Sequence, residues 1–261
     1  MDTDRIRRIN QEGWDRRVEE KDFWTLPVSP ELIARAREGD WNVVLTPVRP
    51  VPREWFGEIA DKDVLCLASG GGQQGPILSA AGARVTVFDA SPRQLASDRM
   101  VAERERLELV TQQGFMHDLG CFADASFDLI FHPVSNCYAP EILPVWREAY
   151  RVLRPGGVLL ASFMTPASYI FDPLEEDRGE LVLRFALPYS DIEDLTPQEL
   201  ARVRDEVHTI EFSHTLEEQI GGQLAAGFVL TAMYEDAEPE RPVARLFPDT
   251  IATRAVKPKD D

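Results

Sequence analysis

Residues 64–75 read VLCLASGGGQQG, an apolar run that leads directly into three consecutive glycines. The apolar run predicts a buried strand of the kind that parallel sheets use. Glycine directly after such a strand lets the backbone turn sharply, and it lets a ligand approach main-chain N–H groups that a Cβ would block. The stretch therefore predicts a parallel α/β sheet with a ligand site at the carboxyl end of its first strand.

Alternating strand and helix patterns continue after this stretch. The predicted strands are DVLCLAS, RVTVFD, LELVTQQ, SFDLIFHPVS and VLLASFM, and the predicted helices between them are QQGPILSAAGA, RQLASDRMVAERE and APEILPVWREAYRVLRPGG. A further helix, TLEEQIGGQLAAG, precedes FVLTAMYE and TIATRAVK, which predict an antiparallel hairpin at the sheet edge. The repeated β-α-β order predicts a doubly wound, seven-stranded, mostly parallel sheet of the Rossmann-like kind.

Two segments lie outside this pattern. Residues 1–60 predict two helices and a proline-spaced extended segment, TPVRPVPREWF, which together form a cap on the domain of residues 61–261. Residues 165–213 predict an insertion with two antiparallel strands, LVLRFAL and HTIEFS. We expect residues 1–30 and the insertion to form a lid over the site. Deletion of the insertion's hairpin should then spare cofactor binding but abolish turnover. Four aromatic residues would give that lid a surface for a planar or apolar molecule, or would simply pack on the sheet: Trp14, Trp24, Tyr169 and Phe171.

Composition and charge limit the function classes. The chain of 261 residues is 44% apolar, which suffices for a packed core, and its formal net charge of −17 argues against nucleic-acid binding. No apolar run is long enough to cross a bilayer, and the charged start MDTDRIRRINQEGWDRR lacks the apolar core of a signal peptide. Three cysteines without CxxC spacing predict neither disulfides nor a zinc site. We therefore expect a cytoplasmic protein without a metal.

Asp89 ends the second predicted strand, in VTVFDAS. An acidic residue at this place can reach the two hydroxyl groups of a ribose. The alternative is that Asp89 caps the following helix, a role that Ser91 can fill instead. Together, the glycine turn and Asp89 predict an adenosine-type ligand, either a nicotinamide or flavin dinucleotide or S-adenosylmethionine. The spacing ASGGGQQG does not give the GxGxxG pattern of dinucleotide folds cleanly, and the chain has no Tyr-x-x-x-Lys pair for hydride transfer.

Four stretches in order, VLCLASGGGQQG, VTVFDAS, SFDLIFHPVSN and EAYRVLRPGGVLLASF, resemble a class I S-adenosylmethionine-dependent methyltransferase. The branch is similar to the small-molecule and quinone methyltransferases, and the resemblance covers about residues 63–164 and, more loosely, 214–257. It implies methyl transfer from S-adenosylmethionine to a small-molecule acceptor, with S-adenosylhomocysteine as the product. A nicotinamide-dependent oxidoreductase on a related sheet and a non-catalytic protein that binds the adenosyl ligand stay open as alternatives.

The resemblance also implies a set of cofactor-binding positions. Asp89 would bind the ribose, the glycine loop would pass under the methionine part, and Met116 would flank the adenine. The full set is Ala68, Ser69, Gly70, Gly72, Gln73, Gln74, Asp89, Ala90, Ser91, Met116, Asp118, His132, Pro133 and Asn136.

This chain departs from the family pattern at three positions. Cys66 stands where the family commonly has an acidic residue, and Ala68 stands where it commonly has glycine. Phe115 stands where an acidic residue often accepts a hydrogen bond from adenine, and Asp118 is the candidate replacement.

The resemblance implies an in-line displacement at a sulfonium, for which the protein mainly holds acceptor and methyl carbon in attack geometry. A base is needed only where the acceptor must lose a proton. The candidates for it are His132 and Tyr138, which follow the fourth strand, and His214, at a helix start. His132 could instead be a hydrogen-bonded residue in the wall of the cofactor pocket. Tyr138 could cap the following helix, and His214 could be a surface residue.

Overall fold

Seven strands form one sheet in this computed structural model, which describes residues 1–176 and 178–259. The strands are β1 (Asp63–Leu67), β2 (Arg84–Asp89), β3 (Leu109–Gln113), β4 (Phe127–His132), β5 (Leu153–Met164), β6 (Val229–Asp236) and β7 (Thr250–Val256). Their order across the sheet is β3-β2-β1-β4-β5-β7-β6. Strands β1 to β5 pair in parallel, and β7 lies antiparallel between β5 and β6. The predicted seven-stranded, mostly parallel sheet is confirmed.

Helices cover both faces of the sheet. They are α1 (Thr3–Glu20), α2 (Pro30–Arg37), α3 (Gln74–Ala80), α4 (Pro92–Glu105), α5 (Leu143–Val152), α6 (Pro173–Glu176), α7 (Asp191–Asp194), α8 (Pro197–Glu206) and α9 (Gly222–Ala225). Ile33 of α2 and Leu78 of α3 are fully buried in the core on one face, together with Cys66. Trp146 of α5 is fully buried in the core on the other face. The central strands β1 and β4 thus bury side chains on both of their faces, which explains their continuous apolar sequences.

The segment between α2 and β1 packs into the first of these cores. Trp55 lies 5.2 Å from the ring of Tyr234, and Phe56 stacks on Phe131 at 6.2 Å. The segment was predicted as extended throughout, but Arg53–Trp55 form a short 3-10 helix. The large aromatic side chains of this segment therefore join the core on this face of the sheet.

The turn RPGG also differs from the prediction. The helix α5 ends at Val152, and Pro155 and Gly157 lie inside β5 instead of closing the helix. The pairing of β4 with β5 shifts register between Phe127 and Leu129, and Gly156 has φ +83°. A bulge of this kind requires a residue that tolerates positive φ, which glycine supplies.

The two strands predicted in the insertion are wrong. Single bridges join Phe171 to Leu183 and Ser190 to Phe212, and the regular elements in the described part of the insertion are the helices α6 to α8 and a 3-10 helix, Pro166–Ile170. Val182, Leu183 and Leu187 of LVLRFAL are exposed, and only Phe185 packs partly against a hydrophobic cluster. An apolar run forms a strand only where a partner strand and a core face are available.

The last predicted helix, TLEEQIGGQLAAG, forms with an irregularity. Glu217–Gly221 form a π turn that leads into α9. A methyl group at Gly222 would come within 2.6 Å of Trp146 Cδ1, so the glycine allows this helix to lie directly against the indole ring.

The sheet order places one edge of β1 beside β2 and the other beside β4. From β1 the chain first builds β2 and β3 on one side and then crosses over to build β4 and β5 on the other. This reversal opens a crevice at the carboxyl ends of β1, β2 and β4. Among the described residues, no helix is long and apolar enough to cross a membrane.

Candidate functional site

A cavity of about 670 Å³ opens at the carboxyl ends of β1, β2 and β4. One part, the glycine compartment, is lined by residues 68–70, 88–91, 94 and 114–117. The other part, the outer compartment, is lined mainly by α1 and the insertion. Its members include Trp14, Arg17, Tyr138, Ser168, Tyr169, Phe171, Glu176, Tyr189, Asp191, Thr209, Glu211, Arg241 and Asp249.

The glycine loop is held by the end of β2. Ala68 takes the left-handed conformation with φ +47°, at the position where the sequence lacks the family's glycine, and its N–H donates to Phe88 O at 2.7 Å. The N–H of Gly70 donates to Asp89 Oδ2 at 2.9 Å. A methyl group at Gly70 would come within 2.8 Å of Gln94 Cβ, so only glycine allows the loop to approach β2 and α4 this closely.

Asp89 lies half-buried in the wall of the cavity. Its Oδ1 accepts a hydrogen bond from the N–H of Ser91 at 2.8 Å, in addition to the bond from Gly70 to Oδ2. Burial raises the pKa of Asp89, and these N–H donors lower it. Ser91 caps α4, since its Oγ accepts from the N–H of Gln94 at 3.0 Å. The helix cap is thus filled by Ser91, which leaves the Asp89 carboxylate for the cavity.

His132 lies below the cavity, not on its wall. Its ring is fully buried, with Nδ1 2.9 Å from Leu67 O and Nε2 2.9 Å from the side-chain oxygen of Asn136. The Asn136 amide in turn lies 2.8 Å from the Gln219 side chain. Burial lowers the pKa of His132, although both hydrogen bonds raise it. With both ring nitrogens engaged and no access to the cavity, this placement favours the wall role over the catalytic one.

His214 is likewise buried outside the cavity wall. Its Nε2 lies 3.1 Å from Asn136 O and 2.9 Å from Ala139 O, so it donates to the backbone of the loop that follows β4. Burial lowers the pKa of His214. Neither the catalytic role nor the exposed surface position weighed from the sequence matches this placement, because the ring is 6% exposed.

Tyr138 is the one catalytic candidate whose side chain lines the cavity. Its ring meets Trp14 of α1 edge to face at 5.4 Å. Burial raises the pKa of Tyr138 well above its usual value, while the nearby guanidinium of Arg17 lowers it. The phenol therefore stays protonated at neutral pH and can donate a hydrogen bond to a ligand.

The chain matches a family model described as a methyltransferase domain over residues 65–161. A relative from Bacillus subtilis, named Uncharacterized methyltransferase YbaJ, is 47% identical over 227 residues, which cover 87% of this chain and 89% of the relative. The chain belongs to the class I S-adenosylmethionine-dependent methyltransferases. This result favours the methyltransferase over the oxidoreductase and the non-catalytic binder that the sequence left open.

Further comparisons of this methyltransferase agree in fold. A crystal structure of an S-adenosylmethionine-dependent methyltransferase from Mesorhizobium loti has a TM-score of 0.60 at 15% identity, covering 78% of this chain and 94% of that one. An arsenite methyltransferase from Aquipseudomonas alcaligenes is 35% identical over 148 residues, which cover 51% of this chain and 42% of the relative.

The glycine compartment fits the adenosyl cofactor that the family implies. Ser69 Oγ and Gln94 Oε1 are buried in its wall and have no hydrogen-bond partner among residues 1–176 and 178–259. Buried polar atoms of this kind are costly unless a ligand satisfies them. With the Asp89 carboxylate beside them, they match the hydroxyl, amino and carboxylate groups of S-adenosylmethionine.

Most of the expected cofactor positions meet in this compartment or at its edge, and four do not. The cavity is lined by Ala68, Ser69, Gly70, Gln73, Gln74, Asp89, Ala90, Ser91, Met116 and Pro133. Asn136 and His132 lie in the buried network beneath it, and Gly72 packs against α4, with its Cβ position 3.0 Å from Ser97 O. Asp118 is exposed and accepts from the N–H of Gly120 at 3.0 Å, which argues against its role as the adenine acceptor.

Asp98 of α4 holds the glycine loop from below, and the sequence analysis missed it. Its Oδ2 accepts from the N–H of Gly71 at 2.9 Å, and its side chain is fully buried. Burial raises the pKa of Asp98 to about 8. The helix pattern could have revealed this buried acid, because the spacing of Asp98 from Leu95 and Val101 places it on the same buried face of α4.

The outer compartment contains a buried ion-pair group that the sequence did not reveal. Arg241 pairs with Glu176 at 3.0 Å and with Asp249 at 3.1 Å. These residues come from α6, from a loop and from the segment before β7, so no local spacing connects them. Among the described residues, no group of three or more side chains is arranged to hold a metal ion.

Proposed function

We propose that this methyltransferase transfers a methyl group from S-adenosylmethionine to a small molecule bound in the outer compartment. The observation that carries this proposal is that the glycine compartment and the outer compartment form one continuous cavity. A cofactor in the first and an acceptor in the second would share a boundary near Tyr138 and Pro133, where both parts meet.

Asp89 would bind the ribose hydroxyls, and Ala68 to Gly70 would pass under the methionine part of the cofactor. Ala90, Ser91 and Met116 would lie beside the adenine. The cofactor supplies a methyl group that is already activated by the positive sulfonium. The protein's task is then to place the acceptor atom in line with that group and to exclude water.

The size and closure of the cavity support a small acceptor. Small-molecule pockets have volumes of roughly 300–1,000 Å³. The volume of about 670 Å³ therefore leaves space for a compact acceptor beside the cofactor. The net charge of −17 argues against a nucleic-acid acceptor, and the partial relative from Aquipseudomonas alcaligenes is named for a small one, arsenite.

We also propose that α1 and the insertion of residues 165–213 form the lid of this cavity. The Asn10 side chain donates to Tyr138 O at 2.8 Å and to Ile210 O at 3.0 Å, and it accepts from Ile210 N at 2.7 Å. One side chain thus fastens α1 to the loop after β4 and to the end of the insertion. Ile6 and Ile9 of α1 pack on Ile210 and Phe212 beside it. The lid expected over residues 1–30 is narrowed here to α1, because the N–H of Val28 donates to Gly72 O at 2.9 Å and so joins the glycine loop. The lid would close the outer compartment, and α1 also borders the glycine compartment, because Asp15 Oδ1 accepts from Ser91 Oγ at 2.6 Å.

The test combines binding with turnover. Calorimetry should show binding of S-adenosylmethionine and S-adenosylhomocysteine but not of NADH. Release of S-adenosylhomocysteine should then be measured with a panel of phenol, amine, thiol and quinone acceptors. Binding of NADH with no response to the sulfonium would contradict the proposal. A cofactor that binds without turnover on any acceptor, including protein and RNA extracts, would contradict its catalytic part, whereas turnover on a macromolecule alone would contradict the small acceptor.

A further inference from the structure

Glu211 is a carboxylate of the outer compartment that is placed to contact a ligand directly. Glu211 lies half-buried in its wall and receives a hydrogen bond from Tyr169 Oη to Oε2 at 2.9 Å. Among the described residues, no cation forms an ion pair with Glu211. Its Oε1 is left for a ligand. The backbone of Glu211 is fixed, because its N–H donates to Asp191 Oδ2 at 2.7 Å.

Several other charged groups of the compartment are already engaged. Arg241 is bound by Glu176 and Asp249, and Arg17 is bound by Asp22 at 3.0 Å. Asp191 accepts from Tyr189 Oη at 2.6 Å and from the Glu211 N–H, so both of its oxygens are used. Glu211 therefore keeps an unpaired negative charge in the wall of the cavity, and the half-buried Glu238 adds a second carboxylate without an ion pair among the described residues.

A second observation points to a polar ligand at the same place. Ser168 Oγ, Thr209 Oγ1 and Glu176 Oε1 are buried in the cavity wall and have no hydrogen-bond partner within the part of the chain that the structure describes. Ser168 precedes Tyr169, and Thr209 lies two residues before Glu211. Glu176 is 9% exposed, and such an unpaired carboxylate oxygen is costly to bury without a donor. A ligand that carries several N–H donors would satisfy this group of acceptors.

The walls between these groups are aromatic. Tyr169 stacks on Tyr189 with ring centroids 5.8 Å apart, and Tyr138 and Phe171 line the same cavity. Aromatic faces attract cations, with the largest effect where water is excluded. Acidic and aromatic groups together therefore favour a positively charged head group on an organic molecule.

We propose that the acceptor is an amine that enters as its ammonium form, that Glu211 and Glu176 bind the ammonium group, and that Glu211 takes up its proton. This inference rests on the proposed function. The ammonium gives one proton to the Glu211 carboxylate. The freed lone pair of the nitrogen then forms the bond to the methyl carbon while the carbon–sulfur bond breaks, and its electron pair stays on sulfur. The products are an N-methylammonium ion and a neutral thioether, so charge and atoms balance.

Electrostatics separates an amine from a phenol or an alcohol. Removal of a proton from a hydroxyl group creates an anion, which Glu176, Asp191 and Asp249 would destabilise. Removal of a proton from an ammonium group leaves a neutral nitrogen, which these carboxylates tolerate. Burial raises the pKa of Glu211, and Glu176 raises it further, while the Tyr169 hydrogen bond and the charges of Arg241 and Arg17 lower it. A raised pKa makes the carboxylate a stronger base than an exposed glutamate.

The first test measures binding alone and uses pairs of fragments of equal shape: 2-phenylethylamine with 2-phenylethanol, benzylamine with benzyl alcohol, and N-methylbenzylamine with benzyl methyl ether. Calorimetry is done on protein saturated with S-adenosylhomocysteine. We expect at least one amine to bind about tenfold or more tightly than its neutral partner, as a charge-assisted hydrogen bond allows. If no pair shows a preference for the amine, or if phenylacetate binds as well as the amines, the inference is wrong.

Variants assign the effect to Glu211. Glu211→Gln should abolish the preference for the amine, and Glu211→Asp should restore part of it, while the affinity for S-adenosylhomocysteine stays unchanged. The matched control is Glu193→Gln, an exposed residue of the same insertion outside the cavity wall. If Glu211→Gln keeps the preference, the inference fails. If the protein binds the cofactor and methylates only phenols, the amine inference fails while the proposed function stands. If the wild-type protein does not bind the cofactor at all, the proposed function itself is contradicted.

Discussion

The side chain of Asp98 accepts a hydrogen bond from the N–H of Gly71 at 2.9 Å, across 27 residues of sequence. Asp98 comes from α4, whereas the family commonly places an acidic residue in β1, where this chain has Cys66. Burial raises the pKa of the Cys66 thiol, and the nearby Asp98 carboxyl raises it further. The acidic hydrogen-bond acceptor beneath the glycine loop thus comes from α4, whereas β1 has the thiol of Cys66 at the position where the family commonly has an acid.

Asp98→Ala should therefore weaken both the fold and the cofactor site. The variant leaves the Gly71 N–H buried without an acceptor, which costs about 1–3 kcal/mol of unfolding free energy. We expect a several-fold loss of affinity for S-adenosylhomocysteine in calorimetry, because the loop is no longer held. Asp98→Asn retains an oxygen acceptor and should bind the cofactor nearly as well as the wild-type protein. Equal losses in both variants would contradict the role of this hydrogen bond.

Asp98 should also make stability depend on pH. Burial raises its pKa in the folded protein from 3.8 to about 8, so the folded state retains a proton that the unfolded state loses. The contribution is fully present below pH 4 and is lost as the pH rises towards 8, by at most about 1.4 kcal/mol per pH unit. The difference in unfolding free energy between wild-type protein and Asp98→Asn, measured by urea denaturation from pH 4 to pH 9, should fall over this range. A constant difference would show that Asp98 titrates normally.

Asp89→Ala should reduce cofactor affinity. The carboxylate lines the cavity and would lose its hydrogen bonds to the ribose, each worth at most about 1.5–3 kcal/mol. We expect the affinity for S-adenosylhomocysteine to fall at least tenfold in calorimetry. Glu58→Gln, at an exposed position outside the cavity, is the control. An unchanged affinity would mean that the ribose lies elsewhere.

The parts of the site that the sequence predicted are those encoded by local patterns. The glycine loop and Asp89 each follow a strand directly, and the sheet brings strand ends together without further information. Asp98 is only implied by an acidic residue on the apolar face of a helix. Glu211 could not be predicted, because it lies in an irregular segment where neither the strand nor the helix period applies and its contacts come from distant residues. The strands predicted in the insertion failed for a related reason, since the two segments pair with other residues only through single bridges.

His132→Ala should change stability more than the chemistry. The substitution leaves Leu67 O and the Asn136 side chain without their buried partner, at a cost of about 1–3 kcal/mol for each group that stays unsatisfied. The pH dependence of kcat should keep its shape, because the ring does not reach the cavity. Denaturation and a pH–rate profile measure the two effects. If an ionisation disappears from the profile while stability is unchanged, His132 is a base after all.

Gly13→Ala should separate the lid from the cofactor site. Gly13 lies in α1 against the backbone of the insertion, and a methyl group there would overlap the carbonyl oxygen of His208. Alanine otherwise stabilises a helix interior by about 1 kcal/mol relative to glycine. A loss of function in this variant therefore reports the displaced contact between α1 and the insertion. We expect the KM for the acceptor to rise and kcat to fall, with the affinity for S-adenosylhomocysteine within about twofold of wild type.

Gly221→Ala is the matched control, because its methyl group would meet Glu217 Cγ at an ordinary 3.6 Å. Unchanged kinetics in Gly13→Ala, or an equal loss of cofactor affinity, would contradict a lid that acts mainly on the acceptor.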